Sequence, residues 1–177
     1  KTLFPYTTLF RSRLIPALGA QGAARLQRRL THQAIRTALG AGLGPVTLWC
    51  APDARHRCFR ALHRAMGVTC LVQASGDLGE RMHTAFRLHC ASGPLLLIGT
   101  DCPPLKPHHL REAAQALLAG CDAVFLPAED GGYALVGYPE GEDSLRVFHS
   151  SSVDLVDALV ASLQSEYHLQ PDRKSVV

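Results

Sequence analysis

Hydrophobic and polar residues follow two different periodicities along the chain. Short apolar runs indicate buried strands, and apolar residues that recur every three or four positions indicate amphipathic helices. The strands are predicted over 46–50, 68–73, 94–99, 123–127 and 133–138. The helices are predicted over 22–39, 54–66, 78–90, 107–119 and 153–163, the second of them capped by Asp53. Because strands alternate with helices, we expect an α/β domain with a mainly parallel sheet.

The run PLLLIG, residues 94–99, is the most continuously apolar segment. Strands of this kind are buried on both faces, so we expect helices above and below it. No apolar run reaches the roughly 18–20 residues that a membrane-spanning helix needs.

The two ends of the chain read as foreign sequence. Residues 2–12 (TLFPYTTLFRS) are the literal translation of a widely used sequencing adapter, and 172–177 (DRKSVV) translate its reverse complement. We therefore expect 1–12 and 172–177 to be adapter-derived, and 13–171 to form one domain that is incomplete at both ends. The alternative is that Leu3–Phe10 is a native strand, since its residue types suit strands.

Composition and charge narrow the classes of partner. A hydrophobic fraction of 47% over 177 residues excludes a disordered chain. The net charge of +3 lies entirely in the two adapter-like ends, so the expected domain is neutral. We therefore expect no nucleic-acid or membrane partner. The six cysteines match no zinc spacing, which favours free thiols in a reducing cytoplasm; the oligomeric state is not predicted.

Three polar, glycine-containing loops carry the candidate chemistry, because ligands of open α/β sheets bind beyond the carboxyl ends of the strands. Loop 75–81 (SGDLGER) opens a helix, whose N–H groups can bind phosphate. Loop 99–105 (GTDCPPL) holds Asp101, a carboxylate suited to Mg²⁺ together with substrate phosphate. Loop 127–133 (PAEDGGY) offers two carboxylates and two glycines to a sugar or a metal.

Each loop also has a purely structural explanation. Asp77 can cap its helix, Asp101 can be a turn residue before Pro103, and the EDGG segment can be a hairpin turn. The placement of all three loops at one sheet edge favours a functional site over three unrelated turns.

The order of the motifs resembles that of a bacterial family. The segments RLIPALGAQGAARL, GDLGERM, GTDCPPL and PAEDGGYALVG, within the stretch from Arg13 to about Val147, are similar to the DUF2064 family of glycosyltransferase-A-type transferases. That family is also called transferase 1, rSAM/selenodomain-associated, and some members are named arsenosugar-biosynthesis glycosyltransferases. The wider superfamily of nucleotide-diphospho-sugar transferases includes the guanylyltransferases for molybdenum cofactor and for phospholactate.

The resemblance implies a three-layer, Rossmann-like fold of the nucleotide-diphospho-sugar transferase (GT-A) type. It implies that Asp101 is catalytic and binds a divalent cation, Mg²⁺ or Mn²⁺, against the diphosphate. Glu129 and Asp130 are implied as catalytic residues on the acceptor side. The residues implied in substrate binding are Arg13, Gly76, Asp77, Gly79, Arg81, Thr100, Gly131, Gly132 and Tyr133.

The resemblance favours a cytoplasmic, metal-dependent glycosyltransferase that takes a nucleotide-diphospho-sugar donor and a small-molecule acceptor. Two alternatives stay open. One is a nucleotidyltransferase that joins a nucleoside triphosphate to a phosphorylated small molecule, and the other is a non-catalytic nucleotide-binding module.

The chain departs from the family pattern in three places. Of the family's first strand and its basic loop ending K-T-R-L, only Arg13 and Leu14 remain. Ser150–Ser152 stand near the position of a Trp-containing turn, and the chain ends before an Asp-Val-Asp element that supplies a second metal ligand. We therefore expect the 177-residue chain to be inactive or unstable. The composition of Leu3–Phe10 suits the vacant position of the first strand.

Overall fold

The computed structural model of the chain describes residues 14–89, 93–128 and 133–139, together with the backbone of residues 2–8. The predicted helix 153–163 lies outside these ranges. The elements are β1 (Thr2–Thr8), α1 (Ile15–Ala41), β2 (Thr47–Ala51), α2 (Arg57–Met66), β3 (Thr69–Val72), α3 (Leu78–Arg87), β4 (Leu95–Gly99), α4 (Pro107–Leu118), β5 (Val124–Pro127) and β6 (Tyr133–Tyr138). Within the described ranges, no helix combines the length and apolar character that crossing a bilayer requires.

The six strands form one sheet in the order β3-β2-β1-β4-β6-β5. Strands β1 to β4 pair in parallel, and β6 runs antiparallel to both β4 and β5. Helices α1, α2 and α4 share one core cluster on one face of the sheet, and α3 belongs to a second cluster on the other face. The predicted α/β fold, with three layers and a mainly parallel sheet, is confirmed.

Strand β4 lies at the centre of both core clusters. Leu96 and Ile98 pack with the α1, α2 and α4 layer, whereas Leu95 and Leu97 pack on the α3 side. All four side chains are at most 5% exposed. The alternation places apolar groups on both faces, which confirms the sequence prediction for this strand.

The start of α2 differs from the prediction. Asp53 does not cap the helix, because its Oδ1 accepts a hydrogen bond from the N–H of Arg55 at 2.6 Å and closes a local turn. The helix begins only at Arg57, and the ring of His56 caps it by accepting from the N–H of Cys58 at 3.3 Å.

The five described cysteines are free thiols, as predicted, and two of them interact. Cys50 on β2 and Cys70 on the neighbouring β3 lie in the same core cluster. Cys50 Sγ donates to the carbonyl oxygen of Leu48 at 3.5 Å, and Cys70 Sγ donates to that of Phe59 at 3.6 Å. The neighbouring Cys50 thiol lowers the pKa of Cys70 to about 7, and the interaction with Cys70, together with burial, raises the pKa of Cys50.

Strand β1 occupies the central position between β2 and β4, although it is made of adapter-like sequence. Tyr6 pairs with Trp49 on one side and with Gly99 on the other. Pro5 pairs with Ile98 in the middle of this strand. Proline cannot donate to a hydrogen-bond ladder and is normally confined to edge strands. The foreign origin of residues 1–12 stays a prediction, and the misplaced proline is one observation in its favour.

Replacing this proline tests the position of β1. Pro5→Val supplies the missing N–H donor and a residue that suits strands, which we expect to outweigh the entropy that proline removes from the unfolded chain. Pro104→Val, in an exposed turn, loses the same entropy but gains no ladder bond. We expect Pro5→Val to be more stable than Pro104→Val by about 1 kcal/mol in urea unfolding. Equal stabilities would show that β1 is not a paired central strand.

Candidate active site at the carboxyl edge of the sheet

The strand order reverses direction between β1 and β4. From β1 the chain continues to β2 and β3 on one side of the sheet, and then crosses to β4 on the other side. In open parallel sheets, ligands bind in the crevice beyond the carboxyl ends of the strands at such a reversal. The loop that follows β4, residues 100–106, begins at this crevice.

The strand register gives the width of the crevice. Gly99 of β4 lies beside Tyr6 of β1. Tyr6 lies beside Trp49 of β2, and Trp49 lies beside Leu71 of β3. Neighbouring strands are about 4.8 Å apart, so β3 and β4 are separated by about 14 Å at this level. The loops after β3 and β4 therefore start on opposite sides of the crevice.

Asp101 lies at the rim of the crevice, two residues beyond the end of β4, and its side chain is exposed. Its carboxylate folds back over the strand, because a Cβ added to Gly99 would lie 2.6 Å from Asp101 Oδ1. Only glycine at position 99 leaves room for this arrangement. The carboxylate therefore lies close to the carboxyl end of β4.

Buried polar groups on α1 hold the residue before it. Gln27 Nε2 donates to Thr100 Oγ1 at 3.1 Å and to Thr31 Oγ1 at 3.2 Å. Gln27 is 3% exposed and Thr100 is 6% exposed. Since buried polar groups need partners, these bonds fix Thr100 against α1 and limit the movement of Asp101. Thr100 therefore anchors the start of the loop to α1 through Gln27. Its predicted role in substrate binding stays a prediction.

The loop after β3 is closed by a reciprocal helix cap. The N–H of Glu80 donates to Asp77 Oδ1 at 2.9 Å, and the N–H of Asp77 donates to Glu80 Oε2 at 2.9 Å. Gly76 has a φ of +110°, and a Cβ there would collide with the Glu80 carboxylate. Gly79 follows in the first turn of α3. The structural explanation of Asp77 as a cap is thus realised, and its contact with substrate stays a prediction.

The cap changes the chemistry expected of this helix start. The N–H of Glu80 is already engaged, and two carboxylates lie at the positive end of the helix dipole. This arrangement disfavours phosphate and favours hydrogen-bond donors such as the hydroxyls of a sugar. The sequence predicted that the N–H groups of this helix start are available to phosphate. The structure differs because the Glu80 side chain folds back over the loop.

Arg81 is anchored at the same side of the crevice. Its Nε donates to the carbonyl oxygen of Asp77 at 3.0 Å, and its Nη1 donates to Gln73 Oε1 at 3.2 Å. Gln73, which is 8% exposed, donates in turn to the carbonyl oxygen of Trp49 at 3.0 Å. Arg81 is therefore positioned by β2 as well as by its own helix.

The third loop returns to the same edge. Tyr133 pairs with Pro127, and β6 runs antiparallel beside β4 with Leu135 opposite Ile98. The start of β6 therefore lies next to the end of β4, and Tyr133 is 37% exposed there. Strands β5 and β6 pair antiparallel, and the hairpin turn predicted for the segment between them concerns residues outside the described ranges. The residues predicted for the site that lie outside the described ranges are Arg13, Glu129, Asp130, Gly131 and Gly132.

The donor set at the rim fits a cation that is shared with a substrate. Within the described ranges, no three His, Cys, Asp or Glu side chains are arranged to hold a metal ion. Mg²⁺ commonly uses one or two carboxylates and completes its shell with substrate phosphates and water. Asp101 suits this use, because it is exposed at the crevice rather than enclosed by protein ligands.

Two glutamines at this edge were not predicted as part of the site. Gln27 stands on the buried face of α1 in step with Ala23 and Thr31, and Gln73 ends an apolar strand. The sequence signal for each glutamine was a polar residue at an otherwise apolar position. The partner of Gln27 could not be predicted from the sequence, because Gln27 and Thr100 are 73 residues apart.

The fold and this edge define a three-layer, Rossmann-like α/β domain with polar loops gathered at the point where strand order reverses. The chain belongs to the DUF2064 family, described as uncharacterized proteins conserved in bacteria, whose sequence pattern matches residues 34–152. The resemblance drawn from the motifs is thereby confirmed. No curated protein shows significant sequence similarity to the chain.

Solved structures share the fold. A Desulfovibrio desulfuricans G20 protein, provisionally described as a nucleotide-diphospho-sugar transferase, superposes with a TM-score of 0.78 at 22% identity, over 94% of this chain and 76% of that one. A CMP:2-keto-3-deoxy-manno-octonic acid synthetase complexed with CTP gives 0.58 at 13% identity, over 95% and 86%. The 4-diphosphocytidyl-2C-methyl-D-erythritol synthase of Anaerococcus prevotii DSM 20548 gives 0.59 at 12% identity, over 100% and 86%.

Alanine substitution of Gly76 tests the helix cap. Gly120 has a similar φ of +98° but open space around its Cβ position, so Gly120→Ala reports the backbone cost alone. We expect Gly120→Ala to lower the free energy of unfolding by about 1–2 kcal/mol. Gly76→Ala should cost about 1 kcal/mol more, because Glu80 must leave the cap. Equal losses in urea unfolding would show that the reciprocal cap does not form.

Proposed function

We propose that the protein is a metal-dependent glycosyltransferase that uses a nucleotide-diphospho-sugar donor. The observation that carries the proposal is the position of Asp101 at the reversal of strand order, where glycine at position 99 leaves room for it and the Gln27–Thr100 bond anchors the preceding residue. An exposed carboxylate at this point suits a cation bound together with a diphosphate.

The two sides of the crevice suit the two parts of such a donor. The diphosphate is placed at Asp101. Hydroxyl groups of the nucleoside or sugar are placed at the loop after β3, where Asp77 and Glu80 offer acceptor oxygens. A separation of about 14 Å between the strands leaves room for an extended nucleoside diphosphate across β1 and β2.

The chemistry requires the leaving diphosphate to be stabilised. A divalent cation, Mg²⁺ or Mn²⁺, supplies this stabilisation when bound by Asp101 and the diphosphate. Arg81, which Gln73 holds on the opposite side of the crevice, is too far from Asp101 to add to this stabilisation and is proposed to bind the nucleoside or sugar part of the donor. Glu129 and Asp130 are proposed to take the proton from the acceptor hydroxyl, because they precede β6, whose start lies beside the end of β4.

Nucleotidyl transfer is the second candidate. Two of the proteins that share the fold are named synthetases of cytidylyl compounds, and one of them is complexed with CTP. The two reactions differ in their products. Glycosyl transfer releases a nucleoside diphosphate from a nucleotide-sugar, whereas nucleotidyl transfer releases pyrophosphate from a nucleoside triphosphate.

Asp101→Asn tests the proposed metal and donor site, with Asp122→Asn as the control because Asp122 precedes β5 at the opposite edge of the sheet. The assay uses protein from the uninterrupted gene, since residues 1–12 are expected to be foreign. A matching nucleotide-sugar at 100 times its Kd should raise Tm by about 5–10 °C only when Mg²⁺ or Mn²⁺ is present. Asp101→Asn should weaken this binding at least ten-fold, and Asp122→Asn should leave it unchanged.

The products then separate the candidates. Release of a nucleoside diphosphate supports glycosyl transfer, and release of pyrophosphate supports nucleotidyl transfer instead. If no nucleotide-sugar and no nucleoside triphosphate gives a metal-dependent rise in Tm, both readings are wrong.

A further inference from the structure

Helix α1 carries charge of one sign only. Its 27 residues include four arginines and neither aspartate nor glutamate, although the expected domain is neutral. Solvated helix faces usually mix the two signs. Arg25, Arg28, Arg29 and Arg36 are all exposed. The longest of the described helices thus carries no acidic residue.

The basic residues share one face of the helix. Arg25, Arg28 or Arg29, His32 and Arg36 follow at intervals of three or four residues, which is the spacing of one helix face. At a rise of 1.5 Å per residue the row extends over about 16 Å. It therefore presents a linear array of positive charge.

A second element makes this face concave. The loop after β4 runs alongside α1, since Gln33 Nε2 donates to the carbonyl oxygen of Pro103 at 2.8 Å and Thr37 Oγ1 donates to that of Leu105 at 3.4 Å. Lys106, at the end of this loop, faces the row across an open groove of about 820 Å³. We call this the basic groove; its lining residues are Arg25, Arg28, Arg29, His32, Gln33, Arg36, Thr37, Lys106 and Pro107.

Arg28 of the groove lies near the start of α2. Burial raises the pKa of the Cys58 thiol, while Arg28 and Arg57 both act on the same thiol in the opposite direction. The two arginines, from different helices, therefore lie close to one point. Among the described residues, no carboxylate lines the groove.

We propose that the basic groove binds a linear ligand that carries several phosphate groups. Guanidinium groups recognise phosphate by paired hydrogen bonds, and the groove is lined by four of them together with Lys106. The volume of the groove lies within the range of small-molecule sites. Asp101 is not among the residues that line the groove, so this proposal does not depend on the proposed function.

The lining favours this ligand over two other anionic partners. Single-stranded nucleic acid is normally bound by stacking on aromatic side chains, and the described lining has no Phe, Tyr or Trp. Membrane-surface helices present aromatic and aliphatic residues to the lipid, whereas the described lining is polar apart from Pro107. Both partners are included in the test.

The test measures binding of inorganic polyphosphate chains to the 177-residue protein in 0.1 M salt with EDTA, which removes metal-mediated binding at the crevice. We expect the Kd to fall at least five-fold from tripolyphosphate to chains of about 15 units, because only the longer chain spans the groove. Arg29→Gln combined with Arg36→Gln should weaken binding of the long chain at least ten-fold. Arg60→Gln combined with Arg64→Gln, which removes two exposed charges from α2, should change it less than two-fold.

A further variant guards against loss of folding. Lys106 lies in the loop before α4, outside the helices. Lys106→Gln should therefore weaken binding about three-fold at an unchanged Tm. The proposal is overturned if both double variants lose affinity equally, if tripolyphosphate binds as tightly as the long chain, or if no polyphosphate binds. Binding of anionic vesicles or of a single-stranded oligonucleotide, but not of polyphosphate, would likewise overturn it.

Discussion

The burial of β4 between two layers of helices is the constraint on which the candidate site depends. Its side chains alternate between the α1, α2 and α4 layer and the α3 layer, and Ile98 is fully buried. A strand packed on both faces cannot shift its register without moving every side chain to the wrong face. The end of β4 is therefore fixed, and with it the place where Asp101 emerges.

Polar side chains extend this constraint from the core to the loops. Gln27 connects α1 to Thr100, and Gln73 connects the end of β3 to both Trp49 and Arg81. Each glutamine is buried and bonded to a neighbouring element, so each loop is tied to the layer beside it. The crevice is thus bounded by two anchored sides that differ in chemistry, a carboxylate rim on β4 and a capped helix start after β3.

The sequence predicted those features that depend on local patterns. The strands of Leu95–Gly99 and Tyr133–Tyr138 and the helix over Pro107–Leu118 follow from hydrophobic periodicity, and the family follows from the order of the motifs. The cap at His56 and the bond between Gln27 and Thr100 could not be predicted. The first depends on a competing turn at Asp53, and the second joins distant parts of the chain, which no local pattern encodes.

The central claim is that a metal–nucleotide complex binds beyond the carboxyl ends of β3, β1 and β4. Its most direct test is paramagnetic broadening of amide signals by Mn²⁺ in the presence of a nucleoside diphosphate. We expect the amides of residues 74–77 and 99–102 to broaden, while those of Val46 and Ala123 at the opposite edge stay sharp. Broadening centred on the opposite edge, or no localised broadening at all, would contradict the claim.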